Sequence, residues 1–259
     1  MGGRFEQRYS NLIQIIGLES MPLIKKGDDI GALILDAAQR QGTKLEEGDI
    51  VVVTQKIVSK SEGRVLELSR IVPSPFAVRI AKRTGRDPRH VEVILRESKR
   101  IVKMQDQHLI VETRHGFVCA NGGVDKSNIE GEDCVSILPS DPDESANRIR
   151  TTIRRLSGID VAVIISDTFG RPWRMGHVNV AIGVSGMKPI IDYRGQRDMF
   201  NYVLTVTVMA VADEIASAAE LVMNKSDGVP VAIVKGYPYR KGEGKGIELV
   251  RPAEIDLFR

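Results

Sequence analysis

Cysteine, tryptophan and histidine are scarce in this chain: two cysteines, one tryptophan and four histidines in 259 residues. Cys119 and Cys134 lie far from any C-x-x-C spacing, which excludes a disulfide framework and a thiolate zinc site and leaves them as reduced, structural thiols. His90, His108, His115 and His177 show no ligand spacing such as H-E-x-x-H, so surface or core roles are expected for each. No apolar run approaches the ~20 residues of a membrane-spanning helix, and "MGGRFEQRYSN" carries charge where a secretory signal has its apolar segment. A cytoplasmic protein without a membrane partner is the expectation. A formal charge of +3 is too small to argue for nucleic acid. Basic clusters do occur at "RESKRIVK", "RIRTTIRR" and "KGYPYRKGEGK", and the first two read as solvated helix faces. Two familiar signatures are also missing. "GEGKG" lacks the spacing and following hydroxyl of a phosphate loop, and "GVSGMKP" has no glycine two residues before Ser185, as a nucleophile elbow requires.

What is present is an ordinary supply of core-forming residues, 42% hydrophobic against 27% charged, enough for one large domain or two intimate subdomains. No repeat, low-complexity tract or long linker divides the chain. "KGDDIGALILDAAQRQG" reads as a helix capped by Asp28 or Asp29 and ended by Gly42. "SPFAVRIAKRTGRDPRHVEVILRES" reads as two helices broken at Asp87-Pro88, and "SDPDESANRIRTTIRRLSG" as a capped helix with Pro142 at its start. "TVTVMAVADEIASAAELVMN" places Val208, Val211, Ala212, Ile215, Ala219 and Val222 on one helical stripe, with Glu220 off it and Asp213 and Glu214 on a solvated face. Buried strands are expected in "EGDIVVVTQK", "GFVCA", "VPVAIVKG" and Val161–Ile165. Strands and helices are mixed without regular alternation, so the predicted class is α+β: mixed sheets with packed helices.

Three of those strands end in polar clusters. "DIVVV" runs into Thr54, Gln55, Lys56 and then Ser59-Lys60; "GFVCA" runs into "NGGVDKSN"; "VAVII" runs into "SDTFGR". Loops at strand carboxyl ends commonly form ligand sites on rigid sheets. Asp125 and Asp167 offer hard oxygen ligands suited to Mg²⁺ or Mn²⁺, with Lys56 and Lys60 as opposing charge. Gly122-Gly123 permits close backbone approach, and Asn128 offers both a donor and an acceptor. Taken singly, each has a plain alternative: Asp167 a cap, Gly122-Gly123 a tight turn, Lys60 a surface lysine. Together they point to metal-assisted chemistry on an anionic ligand.

The stretches "LESMPLIKKGDDI", "VVVTQKIVSKSEGR", "CANGGVDKSN", "VIISDTFGRPWRMGHVNVAIGVSGMKPIIDYRGQRD", "TVTVMAVADEIASAAELVM" and "GVPVAIVKG" resemble the coenzyme F-420:L-glutamate ligase family, also called F-420-0:gamma-glutamyl ligase. The likeness runs in order along almost the whole chain. It implies a single ligase domain over 1–259, without the fused nitroreductase-like domain of some bacterial relatives, in a mixed α+β homodimer. The implied reaction uses GTP to join L-glutamate to the lactyl carboxylate of F-420-0, with tail extension through gamma-linkages as an option. The implied cofactors are two divalent ions, Mg²⁺ or Mn²⁺, with potassium as a further ion. Carried over by position, Asp125 and Asp167 match metal ligands and Thr168 a contact to a second metal. Met21, Pro22, Leu23, Ile24, Gln55, Lys56, Lys60 and Asn128 match nucleotide-contacting positions, as does the loop of Met223, Asn224, Lys225, Ser226, Asp227, Gly228 and Val229. Asp125, Asp167 and Lys60 form the expected catalytic set, and Arg171, Trp173 and Arg174 are candidates for gripping substrate anions and the flat ring. Where family members can carry an acidic second-metal ligand, this chain has Lys225. Three readings stay open: Asp227 substitutes, Lys225 replaces the metal's charge, or phosphates and Thr168 hold the second ion. Other functions in play are a nucleotide- or F-420-binding module without chemistry and a ligase for a related acid or amino acid.

Overall fold

The computed structural model describes residues 12–257. Along the chain, β1 (Gln14–Gly17) leads to α1 (Ile30–Gln41), β2 (Ile50–Thr54) and α2 (Gln55–Ser61). The middle comprises β3 (Val65–Glu67), α3 (Pro75–Thr84), α4 (Pro88–Arg96), β4 (Ser98–Gln105), β5 (His108–Thr113), β6 (Val118–Ala120) and β7 (Cys134–Ser136). The last part holds α5 (Pro142–Ser157), β8 (Ala162–Arg171), β9 (Arg174–Ser185), β10 (Ile191–Asp192), β11 (Val208–Met209), α6 (Val211–Met223) and β12 (Val231–Lys235). The class is mixed α+β, as the sequence predicts.

The main sheet has five strands in the order β1-β12-β2-β8-β9. Only β2 and β8 are parallel; the other neighbours are antiparallel. Alternation along the strands separates two cores. Val51, Val53, Val163 and Ile165 point to one face, where they meet Ile34 and Ala37 of α1 and Ile149 and Ile153 of α5. Ile50, Val52, Ala162 and Ile164 point to the other, against Val211, Ile215 and Ala219 of α6. Central strands covered on both sides need continuous apolar runs, which is why "IVVV" and "VAVII" are uninterrupted. Each such side chain contributes roughly 1.5–3 kcal/mol on burial. A second sheet, β4-β5-β6, packs with α4 around Val93, Ile94, Leu109 and Val111. β3 and β7 form a short ribbon beside it.

The expected helix caps are found. Asp29 accepts from the Ala32 amide, Asp87 from Arg89, and Asp141 from Glu144. Helix α6 begins at Val211, so Val208 does not belong to its stripe; Val208 and Met209 pair with β10 instead. "RESKRIVK" is not a helix face. From Ser98 onward it is strand β4, paired with β5 through two register shifts, so exposed Lys99 and Arg100 precede partly buried Ile101 and Val102 and a simple alternation is broken. The strand predicted to end at Ile165 runs on to Arg171, pairing with β9 as a long hairpin arm. Ile165 pairs with Gly183 and Ser166 with Ala181, so Ile182 is an extra residue that bends the arm where the core ends. Acids on the flanking helices then hold β9: Asp213 accepts from the Ala181 amide at 2.9 Å and Asp143 from the Val184 amide at 2.8 Å. Asp213 is therefore a brace, not a solvated helix residue. No helix among the described residues is long and apolar enough to cross a membrane.

At Gly183 the start of α5 presses directly on β9, and a Cβ there would stand 2.3 Å from the Pro142 carbonyl oxygen. Both partners are backbone, so neither can rotate away. Gly183→Ala is expected to destabilise the fold by at least about 1–3 kcal/mol, measured as a lowered urea midpoint with an unchanged slope.

Candidate functional site

The parallel register of β2 and β8 ends with Thr54 opposite Ser166. Beyond that pair, β2 turns at once into α2 while β8 continues, so Gln55 and Lys56 at the helix start stand beside Asp167 on the strand. Lys56 and Lys60 are four residues apart and share one face of α2. Helix α2 is absent from the sequence reading because its seven residues are too few for a helical period to register.

The third strand end arrives through the turn after β6. Asn121, Gly122 and Gly123 all adopt positive φ, at 58°, 62° and 72°. A Cβ on Gly123 would stand 2.6 Å from the Leu138 side chain, so this reversal needs glycine for both conformation and space. The turn delivers Asp125 onto α2, where Lys56 Nζ donates to its Oδ2 at 2.5 Å. Ser127 adds two more donors to the same carboxylate, its amide at 2.9 Å and its hydroxyl at 2.7 Å.

Two carboxyls of opposite character result. Burial is the largest single influence on Asp125 and pushes its pKa up, but the Lys56 hydrogen bond and charge, with Ser127, together hold it below the ordinary carboxylate value. Asp167 lacks such a partner. Desolvation raises its pKa from 3.8 to about 6, the nearby charge of Asp125 reinforces that, and the Thr168 amide, Lys56 and Lys225 oppose it. The Asp167 charge is felt at Cys119, whose thiol is pushed up to about 12, mainly by burial. Lys60 is shifted down, first by desolvation and then by the like charge of Lys56, against the pull of Glu130. The donor set fits a hard divalent cation: two oxygen acids, Asp125 after the β6 turn and Asp167 on β8, the latter half-buried without a cation at ion-pair distance.

Thr168 points to the opposite side of β8 from Asp167, as successive strand residues do. Its hydroxyl donates to Asn179 Oδ1 at 2.8 Å and accepts from Lys225 Nζ at 2.6 Å. Asn179 donates to Glu220 of α6 at 2.7 Å. Asn128 Nδ2 reaches the Lys225 carbonyl oxygen at 3.2 Å, joining the 121–128 loop to the loop after α6. Asp125, Asp167, Thr168, Lys56, Asn128 and Lys225 thus share one connected region.

Other sequence-chosen residues stand differently. The Gln55 side chain is buried and accepts from the Ser59 hydroxyl. Ile24 is buried, Met21 packs against the core beside α1, and Pro22 and Leu23 are exposed. Met223 and Val229 are core residues, while Asn224 and Ser226 both donate to Asp227. Arg171, Trp173 and Arg174 lie at the end of the hairpin arm; Trp173 is 87% exposed with φ 64°, and Arg171 donates to the Met175 carbonyl oxygen. Two network members, Ser127 and Asn179, go unnamed in the sequence reading, and Glu220 figures there only as a residue off the apolar stripe of α6. Ser127 follows Asp125 too closely to stand out. Asn179 is a polar residue inside the apolar run "VNVAIGV", and Glu220 is an acid in the last turn of a helix, where the dipole disfavours it; both oddities are visible in the sequence.

A family model described as F420-0:gamma-glutamyl ligase matches residues 19–236. The coenzyme F420:L-glutamate ligase of Methanothermobacter thermautotrophicus is 49% identical over 250 residues, 95% of this chain and 99% of that protein. Those of Methanocaldococcus jannaschii and Methanopyrus kandleri are 48% and 46% identical, covering 95% and 93% of this chain and 97% of each relative.

Because the folded-state pKa of Asp167 lies above 3.8, folding favours its neutral form. Its contribution to stability is full below about pH 3.8 and is lost as pH rises through about 6. In metal-free protein, urea unfolding of the wild type compared with Asp167→Asn is expected to show this fall only in the wild type. A difference that is flat between about pH 4 and 7 counts against the assigned environment.

Proposed function

The chain belongs to the F420-0:gamma-glutamyl ligase family, and from that premise we propose that it is a GTP-dependent enzyme joining L-glutamate to F420-0 through an acyl phosphate. The observation that carries the reading is the convergence of Lys56, Asp125 and Asp167 at adjoining strand ends, with Lys60 one turn further along α2. A carboxylate resists amide formation because it is anionic, resonance-stabilised and without a leaving group. Its attack on the γ-phosphorus of GTP makes a carboxyl–phosphate bond as the β–γ bridge breaks and GDP leaves. The glutamate amine then attacks the acyl carbon, forming the amide and expelling phosphate.

Asp125 and Asp167 would hold a divalent ion, Mg²⁺ or Mn²⁺, whose chemistry is to offset negative charge on the phosphate oxygens. Lys56 and Lys60 lie on the same side of the site and reduce repulsion between the two anionic reactants. Residues 21–24 and 223–229 are assigned to the nucleotide, chiefly through backbone and exposed positions, since Ile24, Met223 and Val229 are buried. Arg171 and Arg174 would grip substrate oxygens and Trp173 would lie against the flat ring. Tail extension by further gamma-linked glutamates and a role for potassium belong to the same reading.

We further propose a homodimer whose subunits each comprise two subdomains, one on each larger sheet. The hairpin tip and the segment before β11 leave Met175, Met199 and Phe200 at least 80% exposed, an apolar supply typical of a covered face. Met199→Asp with Phe200→Asp is expected to yield monomer in light scattering, where the wild type gives twice the chain mass; a monomeric wild type removes the proposal.

Incubation of the protein with F420-0, glutamate, GTP and Mn²⁺ is expected to give products heavier by one or more glutamyl units in mass spectrometry. GDP release should depend on both acceptor and amino acid. Saturable binding without either outcome would favour a non-catalytic binding module. Folded Asp167→Asn is expected to lose activity by about 10²-fold or more, by analogy with loss of one preorganised charge-stabilising group. Undiminished turnover in that variant would remove Asp167 from the chemistry.

A further inference from the structure

The Lys225 ammonium, on a side chain 58% exposed, meets three side-chain oxygens on its inner side. Its Nζ donates to Thr168 Oγ1 at 2.6 Å and to Asn179 Oδ1 at 3.2 Å, and it lies 3.0 Å from Glu220 Oε1. Two of its N–H donors go to Thr168 and Asn179, and Glu220 adds an ion pair. The acceptors come from β8, β9 and α6 and are linked to one another. Thr168 is bonded to Asn179, Asn179 to Glu220, and the Ser217 hydroxyl fixes the Asn179 carbonyl oxygen at 2.7 Å. Asn179 is also only 2% exposed, a costly place for an amide without a defined polar task. The loop itself is pinned from the other side by Asn128 on the Lys225 carbonyl.

A carboxylate, an amide oxygen and a hydroxyl converging from three elements form a cation-binding set, and here the cation is covalently attached. Glu220 supports this. An acid in the last turn of α6 opposes the helix dipole and gains most from a positive charge just beyond the helix end, where Lys225 lies. Asp167 and Thr168 point to opposite sides of β8, so the two cation positions are neighbouring but not shared, and the Lys225 charge is still felt at Asp167. A divalent ion on the Thr168 hydroxyl would share that oxygen with the ammonium and be repelled by it.

We propose that Lys225 is the second cation of this site, occupying the Thr168–Asn179–Glu220 cage in place of a second divalent ion, so that the triphosphate is met by one metal ion and one lysine. The two-ion expectation drawn from the family resemblance does not fit these residues, because the cation already on Thr168 is Lys225; the Asp227 carboxylate is bonded to Asn224 and Ser226 of its own loop and not to Thr168 or Asn179. This inference rests on the GTP reading above.

The test counts Mn²⁺ by electron paramagnetic resonance in the presence of the non-hydrolysable analogue guanosine β,γ-imidotriphosphate. The wild type and Lys225→Arg are expected to bind one ion per chain. Lys225→Glu, which opens the cage and adds a carboxylate, is expected to bind two, with circular dichroism confirming its fold. Two ions in the wild type overturn the inference while leaving the GTP reading intact. One ion in both wild type and folded Lys225→Glu also overturns it, since the lysine would then not be what excludes the second. Binding of neither ion nor analogue to the wild type removes the GTP reading, and the inference with it.

Discussion

The parallel pairing of β2 with β8 is the constraint from which the site follows. Two strands running the same way finish at the same edge of the sheet, and here they finish on the same pair, Thr54 with Ser166. What happens next differs on the two strands. One chain closes into a helix and presents lysines on its surface; the other stays extended and presents an acid. Neither outcome would bring opposite charges together if the register slipped by one, because every side chain of a strand would then change face. The 69-residue separation between Lys56 and Asp125 is closed on top of this edge by the Asn121–Gly123 reversal. The turn is thus an accessory to the register, and the polar cluster is an accessory to both.

Beyond the edge, β8 performs two jobs by alternation. Asp167 and Phe169 belong to the face that holds α1, α5 and the Asp125 loop, with Phe169 packed on that core. Thr168 belongs to the face of α6 and the loop after it. Adjacent residues therefore serve different neighbourhoods, one dominated by an acid whose pKa burial raises and one by a lysine beside three oxygens. The contrast between Asp125 and Asp167 has the same origin. Both are carboxyls near Lys56, but only Asp125 receives direct hydrogen bonds from it and from Ser127, so desolvation decides the state of the other.

Most of the scaffold was legible in the sequence because the signals were local. Asp29, Asp87 and Asp141 cap the helices they precede, and the doubly covered strands are the continuous apolar runs. The candidate site was legible as three strand ends carrying polar residues. What the sequence hid depends on pairing over distance. Residues 166–171 look like a charged loop because their strand partner, 174–181, supplies the hydrogen bonds and Phe169 alone of this stretch packs on the core. The cage around Lys225 was likewise invisible as a unit, since Thr168, Asn179 and Glu220 come from three elements whose adjacency only the fold creates. Val208 followed the helical stripe by coincidence of spacing, and the backbone instead used it for a strand pair with Asp192.

The extra residue at Ile182 has a consequence for how this scaffold can vary. It absorbs one step of the two-residue period at the boundary between core and arm, so the arm's side-chain phase is set independently of the sheet's. Exchange of the tip around Pro172 and Trp173 for another loop of equal length leaves that phase untouched. Deletion of a single residue from 174–181 would shift the β9 partners of the arm by one, moving Asn179 off the face it shares with Thr168.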